Sequence, residues 1–468
     1  MKHSNREVNR MSILLNRRRL ALAVVTATLL TACAGGPPQG EFPPIVFVHG
    51  NGDSAALWHT TIWRFESNGW PRDRLHAVNL PYPLARDADD KPQDGRTSST
   101  EHMRFLAGEV DQVLRRTGAA RVALVGNSRG GNAIRNYIAN GGGAAKVSHA
   151  VLGGVPNHGV WANAAFLRMS EFNGTGPLLS ALNNQGGAGV EITPGVKWMT
   201  VRSDNNDKFA QPDGVWIGAK GTATNVAFDG PELKGATNVV IPGIDHRETS
   251  YGARAFAATY TFLTGAGPRH ESVQPEGRVV LDGKVSGLGL DNRSGSFVNN
   301  LPLAGASVEV YATDATTGER LGETLHRAPV RADGGWGPLT TNSKVALEFV
   351  VSAPGYATTH VYRAPFARSS NWVHLRAERI ADADRDAAAL VTLTRPRGYF
   401  GVPRDDIALD GKRPPAGIPS GVAGVSVARA RFSDAAPRTV VGEFNGERIA
   451  GRTWPTGANH VVLLELHD

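Results

Sequence analysis

The 468-residue sequence predicts an α/β half, a doubly wound parallel sheet, followed by an all-β C-terminal region, either sandwich or barrel. Three observations lead there. Between Ile45 and about Gly265, short apolar β-rich runs alternate with helical patterns, as doubly buried strands and their crossover helices do. Beyond Gly277 the helical patterns stop, and short alternating runs are broken by Gly, Asn and Asp. Before Ile45 stand a basic segment, an apolar run and a Gly/Pro tether, none of it core-forming.

Residues 1–32 read as an export signal. They hold six Lys/Arg against one acid, Glu7, and end in the apolar run Leu20–Ala32. That run is too short to cross ~30 Å of hydrocarbon as a helix. Leu30-Thr31-Ala32-Cys33 resembles a bacterial lipobox, which implies acylation at Cys33, the only cysteine of the chain. The expected product is an outer-membrane or cell-surface lipoprotein; a periplasmic or extracellular protein is the alternative. Arg17-Arg18-Arg19 is a loose twin-arginine match, and Met11 is an alternative start. The leader carries five of the seven net positive charges, leaving +2 on the rest. The basic balance is therefore an export feature. With no Lys/Arg cluster interleaved with aromatics outside the leader, nucleic-acid binding is disfavoured. A single cysteine excludes a disulfide framework and a cysteine-built metal site.

The rest divides into a tether (33–44), a catalytic domain (45–265), a linker (266–276), a β-sandwich domain (277–378) and a second β segment or domain (379–468). Expected strands are Ile45–Val48, Leu75–Leu80, Arg121–Gly126, His149–Gly153, Lys197–Arg202 and Asn238–Pro242. Expected helices are Ala55–Asn68, Thr100–Thr117, Arg129–Ala139 and Tyr251–Leu263. Phe105, Val110, Val113 and Leu114 recur near helical spacing, after N-cap candidates at Ser98–Thr100. Val461–Leu466 is expected to close the β region.

Gly126-Asn127-Ser128-Arg129-Gly130 is a G-x-S-x-G between an expected strand and an expected helix. That setting suits a nucleophile elbow: the glycines leave room for a cramped turn that lifts the serine Oγ above the sheet. Upstream, Val46-Phe47-Val48-His49-Gly50-Asn51-Gly52 resembles the oxyanion loop of lipases. The resemblance implies backbone N–H donors at Asn51 and, after the nucleophile, at Arg129, with side chains free to vary. Ser203–Pro212 resembles the acid loop of bacterial lipases, whose register selects Asp207, with Asp204 as the rival and Asp213 behind. Leu233–His246 resembles the strand and turn that deliver the catalytic histidine, His246. His49 is expected to support the oxyanion loop, His158 to be structural, and Asp204 and Asp245 to be solvated loop acids.

Together with Leu152–Gly159, these motifs make residues 44–265 resemble a bacterial serine lipase/esterase of the α/β-hydrolase superfamily. The resemblance implies carboxylic-ester hydrolysis through an acyl-serine, a Ser128–Asp207–His246 triad, and no cofactor or metal. Its partners would be an ester, lipid or polyester substrate and the membrane that holds the acylated Cys33. Residues 160–196 read equally as a lid and as packing against the sheet; Trp161, Trp216 and Phe209 are candidates for the pocket wall. Pro302–Tyr311, Ala332–Trp336 and Ser352–Tyr356 resemble a carboxypeptidase-regulatory-like, transthyretin-like sandwich. That region is expected either to be an accessory module that helps hold an insoluble substrate or to pack on the catalytic domain and complete the acyl groove. Its removal is expected to spare short-chain ester turnover, and equal loss on short and insoluble esters would make it structural. The competing functions are an acyltransferase or amidase on the same fold, and a non-catalytic envelope binding protein.

Overall fold

Six parallel strands build the first sheet: β1 (Ile45–Val48), β2 (Leu75–Ala77), β3 (Val122–Asn127), β4 (Val147–Gly153), β5 (Lys197–Arg202) and β6 (Thr237–Val240), in the order β2-β1-β3-β4-β5-β6. The computed structural model describes residues 42–187, 189–289 and 297–468; Cys33 and the signal lie outside the described residues. Strands β1 and β3 are buried at every residue, which explains why they read as unbroken apolar runs. Among the described residues no helix is long and apolar enough to cross a membrane.

Helices α1 (His59–Ser67), α2 (Ser99–Thr117) and α3 (Arg129–Asn140) cover the sheet together with α4 (Pro177–Leu182), α5 (Glu248–Tyr251) and α6 (Ala253–Thr264). α2 starts at a capping box: Glu101 N–H donates to the Ser98 hydroxyl at 3.2 Å, and Ser98 N–H donates to Glu101 Oε2 at 2.7 Å. Its buried stripe is His102, Leu106, Val110 and Val113, with Phe105 and Leu114 on the flanks. The expected helix Tyr251–Leu263 is two helices, because the chain leaves helical geometry at Gly252 (φ −58°, ψ 153°).

The C-terminal region contains no α-helix among the described residues. Its largest sheet has seven strands, in the order His326–Pro329, Ser307–Thr313, Ala346–Ser352, Thr358–Arg363, His460–Glu465, Ala389–Thr394, Val427–Phe432. Strands from before and after residue 378 thus share one sheet. The expected final strand is present as His460–Glu465 and lies between Thr358–Arg363 and Ala389–Thr394, parallel to both, with Val461–Leu464 buried.

Pro43–Asp468 is one compact unit. Trp63 of α1 is buried in the same apolar cluster as Val279, Leu281, Trp336 and Phe349, and its indole N–H donates to Ser369 O at 2.9 Å. The stretch expected as a linker is tied down. Asn68 Nδ2 donates to His270 O at 2.8 Å, and Glu276 accepts from Arg72 and Arg368 at 2.9 and 2.8 Å. The β region therefore packs on the α/β half and shares buried contacts with it, the second of the two expected arrangements. The buried faces of α1 and of the β strands are mutual partners, a pairing that apolar periodicity alone does not specify.

Candidate active site

The site lies at the carboxyl end of the parallel sheet, where β3 turns into α3. Ser128 occupies that turn at φ 50°, ψ −123°, a strained conformation for a residue with a side chain. Close packing beneath it explains the glycines. A Cβ on Gly130 would lie 2.4 Å from Val48 O, and one on Gly50 would lie 2.9 Å from Asn127 Oδ1 and 3.2 Å from Ser128 Cβ. The loop after β1 can therefore approach Ser128 this closely only with glycine at position 50.

His246 Nδ1 lies 2.9 Å from both carboxylate oxygens of Asp207, and both residues are buried. His246 Nε2 is buried without a hydrogen bond, and His246 lines with Ser128 a cavity of about 210 Å³. The Phe209 ring packs edge-on against the imidazole, 4.6 Å between centroids. Asp204, the rival acid, is engaged elsewhere: it accepts from Asn206 N–H at 3.1 Å and from Gly243 N–H at 3.0 Å, tying the acid loop to the histidine loop. It is half-buried, and Asp213 is exposed.

Asn51 lines the Ser128 cavity, and Arg129 begins α3, where its N–H has no intrahelical acceptor. Their side chains are not free to vary, contrary to expectation. Asn51 Oδ1 accepts from Ala85 N–H at 2.8 Å. The fully buried Arg129 guanidinium pairs with Glu171 and donates to Pro83 O at 2.9 Å and to Thr97 O. It clamps the elbow to the segment that crosses above it. His49 is buried beneath this loop, and its Nε2 accepts from Leu80 N–H at 3.1 Å. His158 pairs with Glu191 at 3.2 Å.

The segment 160–196 divides between the two readings. Trp161 and Phe172 line the Ser128 cavity, with Phe166 stacked edge-on against Trp161, while Leu179 and Leu182 are buried on α4, which packs beside α3. Phe209 lines the cavity as expected. Trp216 packs over Gly424, and its neighbour Ile217 takes the wall position instead. A second, mainly apolar cavity of about 480 Å³ adjoins on the far side of Phe209 and His246. Among the described residues no three His, Cys, Asp or Glu side chains converge as metal ligands.

Four residues that carry no sequence motif of their own shape the site. Asn127 is fully buried and donates to Ser250 Oγ at 2.9 Å and His246 O at 3.3 Å, joining the elbow to the histidine. Tyr399, from the C-terminal region, lines the Ser128 cavity. Arg247 pairs with Asp53 at 2.9 Å. Arg395 reaches Asp245, which is no solvated loop acid: it is fully buried, 2.7 Å from Arg395 Nη1, and accepts from Tyr399 N–H at 2.8 Å. Burial opposes its ionisation, but Arg395 and Arg404 outweigh burial and hold the carboxyl below the usual carboxylate range. An acid followed by His in a loop does not reveal its partner when that partner is 150 residues away.

Lys208, beside the triad acid, stands 3.7 Å from the centre of the Tyr399 ring and donates to Gly424 O at 2.9 Å. Burial, with Arg247 nearby, lowers its ammonium to about 7. An ammonium depressed in the folded state destabilises the fold at neutral pH. The penalty fades as pH rises towards the unfolded lysine value of about 10.4. Lys208→Met is therefore expected to flatten the rise in melting temperature between about pH 7 and about pH 9. An unchanged slope by scanning fluorimetry would refute this.

Residues 43–175 match the family described as alpha/beta hydrolase fold, and residues 276–380 match the lipase C-terminal domain. The second match covers the stretch whose motifs resemble a transthyretin-like sandwich. Among solved structures, Bacillus licheniformis lipase BlEst2 in mature form is similar over 49% of this chain and 96% of that one, at 20% identity and TM-score 0.35. Its propeptide form is similar over 90% and 93%, at 15% identity and TM-score 0.35. Aspergillus fumigatus lipase B is similar over 51% and 56%, at 16% identity and TM-score 0.35. The chain thus joins an α/β-hydrolase fold to a C-terminal region that matches the lipase C-terminal domain.

Proposed function

We propose that this protein is an exported, lipid-anchored serine hydrolase of carboxylic esters, acting through an acyl-serine intermediate. The observation that carries the reading is the buried Asp207–His246 pair facing the same cavity as the strained Ser128. His246 Nε2, free of other bonds, takes the proton as Ser128 Oγ attacks the ester carbonyl. Asp207 holds the other ring nitrogen and stabilises the imidazolium. The N–H groups of Asn51 and Arg129 receive the oxyanion; such donors stabilise by about 3–4 kcal/mol each. His246 then protonates the leaving alcohol, and water repeats the sequence to release the acid. The wall of Val160, Trp161, Phe172, Phe209 and Ile217 favours an apolar acyl or alkyl group.

The test is hydrolysis of p-nitrophenyl esters from short to long acyl chains, beside labelling by an active-serine phosphonate. Turnover and label on Ser128 are expected. No hydrolysis at any chain length would overturn the reading, and acyl transfer to alcohols exceeding hydrolysis would favour an acyltransferase. Emulsions and polyester films extend the same assay to insoluble esters. Anchoring at Cys33 predicts that Cys33→Ser removes the protein from the membrane fraction of producing cells.

A further inference from the structure

Between the loop carrying Asn51 and the seven-stranded sheet lies a charged cavity of about 300 Å³, which adjoins the Ser128 cavity across the shared residues Asp53 and Arg247. Most charges on its wall are already committed. Asp53 pairs with Arg247 at 2.9 Å, Asp384 with Arg429 at 3.2 Å, and Glu465 with Arg363. Arg397 is saturated by the carbonyls of His467, Leu466 and Ala56 at 2.7, 2.7 and 3.1 Å.

Two groups are not committed. Arg376 spends one of its five donors, on Asn300 Oδ1 at 3.3 Å, and has no carboxylate within 4 Å among the described residues. The Glu378 carboxylate lines the same cavity and has no hydrogen-bond or ion-pair partner among the described residues. Arg376 lies on the strand Leu375–Ala377 and Glu378 directly follows it, and both side chains line this cavity. Both side chains are half-buried on the cavity wall, where a guanidinium with spare donors beside a carboxylate with spare acceptors offers complementary hydrogen-bonding capacity to a small ligand.

We propose that this cavity binds a small carboxylic acid bearing a hydrogen-bond donor, an amino acid or a hydroxy acid. Its carboxylate sits on the Arg376 fork and its amino or hydroxyl group donates to Glu378. The cavity volume is at the low end of small-molecule sites and limits the ligand to few atoms. The site is coupled to the catalytic centre. Arg376 holds Asn300, whose Nδ2 donates to Asp53 O and Leu80 O at 2.9 Å each, and Asp53 lies in the loop that carries Asn51. A ligand on Arg376 therefore bears on the oxyanion loop.

The experiment is calorimetric titration of the full chain with β-alanine, 3-hydroxypropionate, butyrate and 1,3-propanediol. Saturable binding is expected for the first two, about tenfold weaker binding for butyrate, and none for the diol. Arg376→Gln should weaken both acids at least about tenfold, and Glu378→Gln should weaken β-alanine more than 3-hydroxypropionate. Ser128→Ala should leave binding unchanged, which separates this site from the reaction cavity. Glu378→Gln keeps the test valid if Arg376→Gln proves unstable, as thermal melting will show. No saturable heat with either donor-bearing acid, or undiminished binding in the Glu378 variant, overturns the proposal.

Discussion

Asp207→Asn is expected to lower kcat about 10,000-fold while leaving the fold intact. The reason is tautomeric. His246 Nδ1 lies 2.9 Å from each Asp207 oxygen, so the carboxylate keeps the proton on Nδ1 and leaves Nε2 basic. An amide offers an N–H to Nδ1 and moves the proton to Nε2, which can then take nothing from Ser128. The amide oxygen can still accept from Phe209 N–H, as Asp207 does at 2.9 Å, so the loop should survive. Asp204→Asn is the matched control. Its carboxylate ties Asn206 and Gly243 together, so the expected effect is a stability loss of about 1–3 kcal/mol with kcat within about tenfold of wild type. Kinetics and melting of both variants decide the point. A greater kcat loss for Asp204→Asn would transfer the role of triad acid.

Arg395→Met is expected to cost about 3–5 kcal/mol of stability, because it leaves Asp245 charged and buried with only the more distant Arg404, at 3.6 Å, to oppose it. The side chains of Arg395 and Asp245 are 2% and 0% exposed. Arg395 also reaches Glu248 at 2.5 Å, Tyr251 Oη at 2.7 Å and Tyr399 O at 2.7 Å. Asp245 directly precedes His246, so loss of the anchor should lower kcat as well as the denaturation midpoint. Adding Asp245→Asn should recover part of the stability, since that charge is then removed. The lowered carboxyl of Asp245 sets the sign with pH. Its contribution is present above the unfolded carboxylate value of about 3.9 and is lost as pH falls through the lower folded value. For the same reason a chain ending at residue 276 should lose turnover of short and long esters alike, since Trp63 would be uncovered and Arg395 and Tyr399 removed. Retained short-chain turnover by that truncation would refute the coupling.

The legible parts of the site share one property: their chemistry is local. The Ser128 turn needs glycine on both sides within five residues, the capping box at Ser98 and Glu101 spans one helical turn, and β1 and β3 announce their double burial by unbroken apolar runs. Even so, register matters. The register of the loop favours Asp207 over its rival Asp204, and Asp207 is the carboxylate that lies against the imidazole, while Asp204 accepts from Gly243 N–H.

The parts that escaped are contacts over long chain separations. Alternation in Val427–Phe432 or an apolar run in Val461–Leu464 identifies a buried face but not the strand beside it, so the central place of the last strand in its sheet is not legible from the run itself. Likewise Arg395 and Tyr399 carry no motif. Charge and an aromatic ring become part of an active site only when the fold brings them to Asp245 and to the cavity of Ser128. The elbow at Ser128, the loop of His246 and the α/β-hydrolase sheet thus follow from residues near one another in the chain. The integration of the β region into the catalytic body follows only from packing, because a buried ion pair is specified by position in space and not by spacing in sequence.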